Sequence, residues 1–223
     1  MIRVSKSTDE PATLSKTKRY DGEDVAKQLF ADQHHKCYLC ERTVDTDYQI
    51  EHLKSKKHFP ALIQQWTNLL LSCNYCNAKK GDRFDGLISP LTANIEDEIK
   101  QTVDFENAKA VFETVCGKQT DAHKQTIILL NRIFNGSNNL HTSKQPSRTI
   151  REQEFYNYVV AELNSFTETI RQWLDNPDDI NLTEAIRKSL SIDSELLGFK
   201  YWIVQSNIKV LSQFRDCTTW NKS

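Results

Sequence analysis

The sequence predicts an α+β protein, in which a small mixed unit held together by a metal precedes a mainly helical region. Three observations predict this class. Four cysteines form two C-x2-C pairs with thirty-two residues between them. A short alternating segment lies between the pairs, and a short helical segment follows them. Beyond about residue 120, apolar residues recur at helical spacing. We expect a polar N-terminal arm at 1–20, the metal-held unit at 21–100 and the helical region at 101–223.

The composition indicates a globular protein. The chain has 223 residues, of which 38% are hydrophobic and 26% are charged. It contains no apolar run of the ~20 residues that a membrane span needs, and its start lacks the apolar core of a signal peptide. We therefore expect a cytoplasmic location and no membrane partner. In that reducing compartment, paired cysteines indicate a metal site more often than a disulfide.

The elements of the first half follow from local patterns. Residues 1–20 are polar and predict an extended arm or a disordered leader. Apolar residues at helical spacing predict a helix over 21–34, and alternation predicts a short strand over 48–52. Pro60 opens a short helical stretch over 61–66. The segment 74–80 predicts a second short helix, which Gly81 can cap.

The second half predicts mostly helices. Residues 101–115 are compatible with a hairpin. A helix capped by Thr120 and Asp121 runs to Phe134, where Gly136 ends it. The Ser/Asn/Thr-rich segment 137–147 predicts a loop. Further helices are expected at 147–174, 182–191 and 194–215.

The cysteine pairs predict a structural zinc. Four thiolates suit one tetrahedral zinc that has no open position, so this metal would hold the unit together without taking part in chemistry. The alternative is that these are coincidental core cysteines. Cys116 and Cys217 have no close cysteine partner in sequence, and we interpret them as ordinary core or surface residues. The predicted zinc ligands are Cys37, Cys40, Cys73 and Cys76.

Positive charge is concentrated in the stapled unit. The whole chain has a formal net charge of −1. Residues 51–83 carry six basic and two acidic side chains, a net charge of +4, whereas 84–223 carry a net charge of −4. A phosphate backbone would be held where the positive charge lies, although solvated lysines of an ordinary surface remain an alternative. The candidate nucleic-acid contacts are Lys54, Lys56, Lys57, Lys80 and Arg83.

Three residues predict a second, catalytic site. Glu51 and His52 stand side by side between the cysteine pairs, and Asn77 directly follows the last cysteine. If the segment that holds the strand over 48–52 packs as a hairpin on the helix over 74–80, oxygen atoms of Glu51 and Asn77 can approach one divalent cation, and oxygen ligands suit Mg²⁺ or Mn²⁺. His52 would then take a proton from water, and the metal would polarise a scissile phosphate.

The residues of this unit also resemble a known motif. The segments C-x2-C, E-H, W-T-N-L, C-x2-C-N and K-G, in this order, are similar to the zinc-ribbon form of the HNH nuclease family over roughly residues 36–83. The resemblance implies a ββα-metal fold and endonuclease activity, in which phosphodiester bonds of DNA, and sometimes RNA, are hydrolysed with one divalent metal.

The resemblance also implies a role for individual residues. His52 matches the general base, Glu51 the first metal-binding acid and Asn77 the final metal ligand. Asn68 matches the central asparagine, which in the family braces the loop through backbone hydrogen bonds. Lys80 stands at the family's usual lysine position, where a phosphate contact is expected. The family often has histidine where this chain has Asn77, and this departure is common among its members.

A narrower resemblance joins the motif to a helical tail. The pattern I-E-H-x5-F-P, then W-x-N-L, and the helices that follow are similar to the HNH nucleases of Septu-type anti-phage systems and of some retrons. This resemblance implies phage or plasmid DNA as substrate and an ATPase partner that controls the nuclease. The helical region would dock the partner or clamp DNA, or would merely complete the core. Assembly into homo- or hetero-oligomers is left open.

A rival interpretation needs no catalysis. A zinc-stapled module that only binds nucleic acid or protein would keep the cysteines and lysines. It would not need Glu51, His52 and Asn77 together, so their joint presence favours the enzyme.

Overall fold

The computed structural model describes residues 1–115, 117, 119–136 and 148–220. The predicted loop at 137–147 and Cys116 lie outside the described residues. Within the described residues the chain is a mixture of helices and two antiparallel two-stranded sheets, which confirms the α+β class.

The strands and helices follow the predicted order. The strands are β1 Tyr48–His52, β2 Leu69–Cys73, β3 Ile99–Asp104 and β4 Lys109–Thr114. The helices are α1 Ala12–Thr17, α2 Glu23–Asp32, α3 Asn74–Lys80, α4 Ile95–Glu98, α5 Asp121–Asn135, α6 Ile150–Asp175, α7 Ile180–Ser189, α8 Leu197–Gln205 and α9 Ile208–Phe214.

The unit that carries the candidate site is a ββα arrangement. β1 pairs antiparallel with β2, with Tyr48 opposite Cys73 and His52 opposite Leu69. α3 starts immediately after β2 and packs on both strands. It ends at Gly81, whose positive φ of 56° favours glycine. The connector holds two short 3-10 turns at 60–62 and 66–68 in place of the helix predicted over 61–66.

The N-terminal segment packs against the rest of the chain, whereas the sequence predicted an extended arm or a disordered leader. It includes α1, and Met1 and Leu14 are each only 1% exposed. The Met1 amine donates a hydrogen bond to Gln101 Oε1 at 2.8 Å. These residues lack helical or strand periodicity, so their burial against distant parts of the chain left no local pattern to detect.

The second half contains the predicted hairpin and helices with one break. Thr120 caps α5 and Thr149 caps α6, each in a capping box. The single helix predicted over 194–215 is instead two helices, α8 and α9. α8 ends at Ser206, and the side chain of Asn207 accepts hydrogen bonds from the first amides of α9. No helix among the described residues has both the length and the apolar character needed to cross a bilayer.

One hydrophobic core extends from the ββα unit into the helical region. The Tyr75 ring on α3 lies 5.2 Å from the Phe155 ring on α6. The ring centroids of Phe155 and Phe134 on α5 are 5.1 Å apart, and those of Phe134 and Phe199 on α8 are 5.4 Å apart. The ββα unit therefore rests directly on the helices. The division of the chain near residue 100 stays a prediction.

Candidate functional site

The four paired cysteines meet at one point. Their Sγ atoms all lie within 4.8 Å of one another, and Cys40 Sγ is 3.9 Å from Cys73 Sγ. A tetrahedral metal with bonds of about 2.3 Å to sulfur requires sulfur–sulfur edges of about 3.8 Å. The separation of Cys40 and Cys73 thus fits such a site. The four thiols have the number, chemistry and spacing of a closed structural metal site.

Local backbone geometry positions these thiols. Cys73 is the N-cap of α3, and its Sγ accepts a hydrogen bond from the Cys76 amide at 3.4 Å. The Tyr38 amide donates to the Leu71 carbonyl at 3.0 Å, which joins the first pair to β2. Burial raises the pKa of the Cys76 thiol well above its usual range. Metal binding at this site must therefore displace a proton from that thiol.

A polar cleft of about 590 Å³ lies beside β1 and α3. Glu51, His52 and Asn77, which the sequence predicts as one site, all line it. Glu51 and His52 end β1, and Asn77 lies on the first turns of α3, so the pairing of hairpin and helix brings them together. The remaining lining residues are Tyr20, Asp21, Tyr48, Gln49, Ile50, Ser55, Lys56, Lys57, Gly81 and Asp82.

Glu51 forms a buried ion pair. Lys80 Nζ donates to Glu51 Oε1 at 2.7 Å and to the His52 carbonyl at 2.9 Å. Burial raises the pKa of the Glu51 carboxyl, and the Lys80 charge opposes this rise. The Lys80 side chain is 0% exposed. The predicted phosphate contact by Lys80 is therefore corrected, because its ammonium is enclosed and engaged with β1.

His52 is held in a defined orientation. Its Nε2 lies 2.9 Å from the Ile63 carbonyl, and its ring meets the Tyr20 ring edge-on with centroids 4.8 Å apart. Because a carbonyl oxygen can only accept, Nε2 carries the proton, and Nδ1 of the neutral ring keeps its lone pair. Burial lowers the pKa of His52, which favours this neutral form.

Asn68 fixes the connector between the strands. Its Nδ2 donates to the carbonyls of Lys54 and Leu62, both at 3.1 Å. Its Oδ1 accepts from the Lys54 amide at 2.8 Å. The side chain is buried and binds only backbone groups in these contacts. This geometry agrees with the bracing role that the resemblance implied for Asn68.

The other predicted nucleic-acid contacts differ in how exposed their side chains are and in which groups they already bind. Lys56 is exposed at the cleft and donates to the Tyr20 hydroxyl at 2.9 Å. Lys57 is exposed and pairs with Asp82 at 2.7 Å. Lys54 is half-buried, and its ammonium binds the backbone carbonyl of Asp85. Lys54 thus holds the segment that follows β1 against the backbone at Asp85. Arg83 is exposed.

Tyr20 is a cleft residue that the sequence did not indicate. It belongs to the segment interpreted as an arm, yet it contacts both His52 and Lys56. A single aromatic residue in a polar segment was the only local signal, and that signal does not specify a site.

Comparison with known proteins agrees with this geometry. Residues 37–83 match the family model described as HNH endonuclease. This segment contains all four clustered cysteines, both strands of the β1–β2 hairpin, and α3. The ββα unit thus lies within the segment that is similar to HNH endonucleases.

One curated relative is similar to the chain over a longer segment. The chain is 31% identical over 108 residues to the Septu protein PtuB of Bacillus thuringiensis. This alignment covers 43% of the present chain and 42% of PtuB. The chain therefore spans less than half the length of that relative, and it resembles PtuB over a limited region.

Proposed function

We propose that this chain is a metal-dependent HNH endonuclease that hydrolyses phosphodiester bonds in DNA. We further propose that it acts as the nuclease of a bacterial anti-phage defence system, together with an ATPase partner. The observation that carries the proposal is that Glu51, His52 and Asn77 line one cleft in the segment that matches the HNH endonuclease family. A non-catalytic binding module would not require these three side chains to converge.

His52 is the proposed general base. Its Nε2–H is committed to the Ile63 carbonyl, so Nδ1 is the atom that accepts a proton. Nδ1 takes a proton from water while the water oxygen attacks phosphorus, and one phosphorus–oxygen ester bond breaks. The Tyr20 ring fixes the imidazole from the side and restricts its rotation.

Glu51 and Asn77 supply the oxygen atoms of the proposed catalytic metal site. A carboxylate and an amide oxygen are ligands that Mg²⁺ or Mn²⁺ prefers, and both residues line the cleft. A bound divalent ion would polarise the phosphate and neutralise the leaving oxygen. Lys80 opposes the rise that burial causes in the pKa of Glu51, and it holds the carboxyl group in place beside the cleft.

The four-cysteine site is proposed to hold zinc in a structural role. Zinc is the metal that most often occupies closed sites built from four thiolates. Lys56 at the cleft is the proposed phosphate contact nearest to His52, because its exposed ammonium lies against Tyr20. The cytoplasmic location stays a prediction.

The ATPase partner is proposed from the likeness to PtuB, which is named as a Septu protein. Because the alignment covers 42% of PtuB, the partner needs its own test. Co-purification of the tagged chain with the products of its neighbouring genes would reveal a stable complex.

Metal dependence and substrate class are tested together. The purified, zinc-loaded chain is incubated with supercoiled plasmid or with single-stranded RNA, in Mg²⁺, in Mn²⁺ and without added divalent ion. We expect nicked plasmid only when a divalent ion is present. Zinc content is measured in every sample so that loss of the structural metal is not mistaken for loss of the catalytic one.

Two results would contradict the proposal. RNA cleavage without plasmid nicking would show that the substrate is RNA and not DNA. A folded, zinc-loaded chain that cleaves neither substrate, alone or with the ATPase, would favour the binding module.

A further inference from the structure

Four arginines lie where α3 meets α5 and α6. The Arg83 charge acts on Arg132, the Glu152 charge acts on both Arg132 and Arg148, and Arg151 lies over the Tyr75 ring. Arg83 follows α3, Arg132 lies on the last turn of α5, and Arg148 and Arg151 flank the start of α6. We call these four residues the arginine cluster. Three of its four members lie in residues 84–223, whose net charge is −4. The local charge balance therefore does not reveal the cluster, which is assembled from segments that are distant in sequence.

No acidic group among the described residues neutralises the arginine cluster by an ion pair. Glu152 is the carboxylate nearest to it in sequence, and this residue is already engaged. Glu152 Oε1 accepts from Lys79, and Glu152 Oε2 accepts from the Thr149 amide at 2.9 Å. Burial and the neighbouring Arg83 guanidinium lower the pKa of Arg132. The Glu152 charge also acts on Arg132 and Arg148, but one carboxylate beside four guanidinium groups leaves the cluster with a net positive charge.

Aromatic rings hold two of these guanidinium groups in position. Arg148 lies 3.9 Å above the Tyr156 ring, and Arg151 lies 5.2 Å from the centroid of the Tyr75 ring. Stacking restricts the side chains without neutralising them. Less rotamer entropy is lost when such a preset arginine binds an anion.

Two buried donor atoms of the cluster meet no acceptor among the residues that the structure describes. Within the described part of the chain, neither Arg132 Nε nor Arg148 Nε has a hydrogen-bond acceptor. Buried donors are usually satisfied, because an unmade hydrogen bond is costly. An anion with several acceptor oxygens would satisfy such donors, and a phosphate matches the fork of a guanidinium.

The arginine cluster and the cleft both border the helix α3. Asn77 of α3 lines the cleft, whereas Lys79, two residues later, bonds to Glu152 of α6. Likewise Asp82 lines the cleft and Arg83 belongs to the cluster. The two surfaces are thus separated by about the 10 Å diameter of a helix, which neighbouring phosphates of one backbone can bridge.

We propose that the arginine cluster binds the phosphate backbone of the DNA whose cleavage we assign to the cleft, so that α5 and α6 clamp the substrate. This inference rests on the proposed function for the identity of the anion. The short distance between the cluster and the cleft favours DNA over an acidic protein, because the substrate of Glu51 and His52 is a nucleic acid in the proposed function.

The test compares two double variants of the full chain. Arg132→Gln with Arg151→Gln removes two charges of the cluster. Lys124→Gln with Arg171→Gln removes two charges from the same helices, α5 and α6, far from the cluster, where both residues are exposed and paired with acids. Arg83→Gln with Arg151→Gln serves as a second cluster variant, because both of its positions are exposed.

Affinity for a fluorescein-labelled DNA duplex is measured by anisotropy without divalent cations, at salt concentrations from roughly 50 to 300 mM. Each lost phosphate contact lowers the slope of log affinity against log salt by about 0.9, so we expect a decrease of about 2 for each cluster variant. The cluster variants should bind at least about tenfold more weakly at the lowest salt, and the matched control should bind as the wild type does.

Equal affinity of the cluster variants and the control would overturn the proposal, as would a wild type that fails to bind the duplex at low salt. A labelled polyglutamate chain is the second probe. If only its binding is lost in the cluster variants, the surface belongs to an acidic protein, and the proposal is wrong. Because binding is measured without cleavage, a wild type that binds through the cluster but never cleaves would contradict the proposed function alone.

Discussion

At the scale of single residues, the Lys80–Glu51 ion pair explains how a carboxyl group can be held inside a buried site. Desolvation raises the pKa of Glu51, and the enclosed ammonium of Lys80 opposes this effect at 2.7 Å. The same ammonium binds the His52 carbonyl. One buried lysine thus positions the backbone and the carboxylate of the two central cleft residues.

The first prediction follows from this pair. Lys80→Met should leave the Glu51 carboxylate buried without a counter-charge, which typically costs about 3–5 kcal/mol. Urea denaturation of the variant should show a correspondingly lower free energy of unfolding. Lys57→Met is the matched control on the exposed side of the cleft, and it should change stability far less. Equal effects of the two substitutions would contradict the account.

The second prediction concerns pH and Lys6. Burial lowers the pKa of Lys6 to about 7, while its Nζ donates to the Leu69 carbonyl at 2.7 Å and lies 3.3 Å from the centroid of the Trp66 ring. An unfolded lysine has a pKa of about 10.4. Between these values the unfolded chain binds more protons, so the stability contributed by Lys6 should rise as pH increases from about 7 to about 10.

The measurement is the difference in unfolding free energy between the wild type and Lys6→Met across that pH range. Lys124→Met, at an exposed position, provides the control and should show no such trend. A pH-independent difference for Lys6→Met would show that Lys6 stays fully charged in the folded protein.

At the scale of elements, α3 connects the metal site, the cleft and the arginine cluster. Cys73 caps its N-terminus, and Cys76 lies in its first turn. Asn77 of α3 lines the cleft, and Lys79 bonds to Glu152 of α6. A change at its N-terminus should therefore affect all three regions.

Replacement of a cysteine of the metal site tests this dependence. Cys73→Ser should lose most of the bound zinc and destabilise the ββα unit, because metal binding supplies folding energy to so small a core. Zinc per chain is measured by atomic absorption, and stability by thermal unfolding. Cys217→Ser is the matched control, since Cys217 lies outside the four-thiol group. Full zinc content in Cys73→Ser would refute the ligand set.

The elements also show what the sequence could and could not predict. α5 and α6 were predictable because apolar periodicity and the Thr120 cap are local signals. The break between α8 and α9 depends on the side chain of Asn207, within a pattern that stays apolar on both sides. The order of Met1 depends on Gln101, one hundred residues away, and no local pattern reports such a contact.

The candidate site divides in the same way. Glu51, His52 and Asn77 were predictable because their motif fixes both residue type and spacing. The burial of Lys80 and the contact of Tyr20 with His52 depend on tertiary packing. The arginine cluster was hidden for the same reason, because its members come from three separate segments.

At the scale of the whole molecule, the continuous aromatic core joins the ββα unit to the helices. Tyr75 contacts Phe155, and its hydroxyl donates to the Ile133 carbonyl at 2.6 Å. The unit therefore depends on α5 and α6 for burial of its own helix α3. Such continuity favours unfolding in a single step.

We expect zinc release and loss of helical circular dichroism to occur at the same urea concentration. A chromogenic chelator reports the zinc, and the far-ultraviolet spectrum reports mainly the helical region. Release of zinc at a clearly lower urea concentration than the loss of helix would indicate two separate domains, as a boundary near residue 100 would require.

The central claim is that His52 is the base of a metal-dependent nuclease, and one rate comparison tests it most directly. Plasmid nicking in Mn²⁺ is measured for the wild type, His52→Ala and His58→Ala, with zinc content and circular dichroism as controls for folding. His58 lies in the connector that follows β1, and it bonds to Asp85 at 2.7 Å; neither residue lines the cleft. The account predicts a loss of about 10²–10⁴-fold for His52→Ala and near-normal nicking for His58→Ala. Nicking by His52→Ala at the wild-type rate would contradict it.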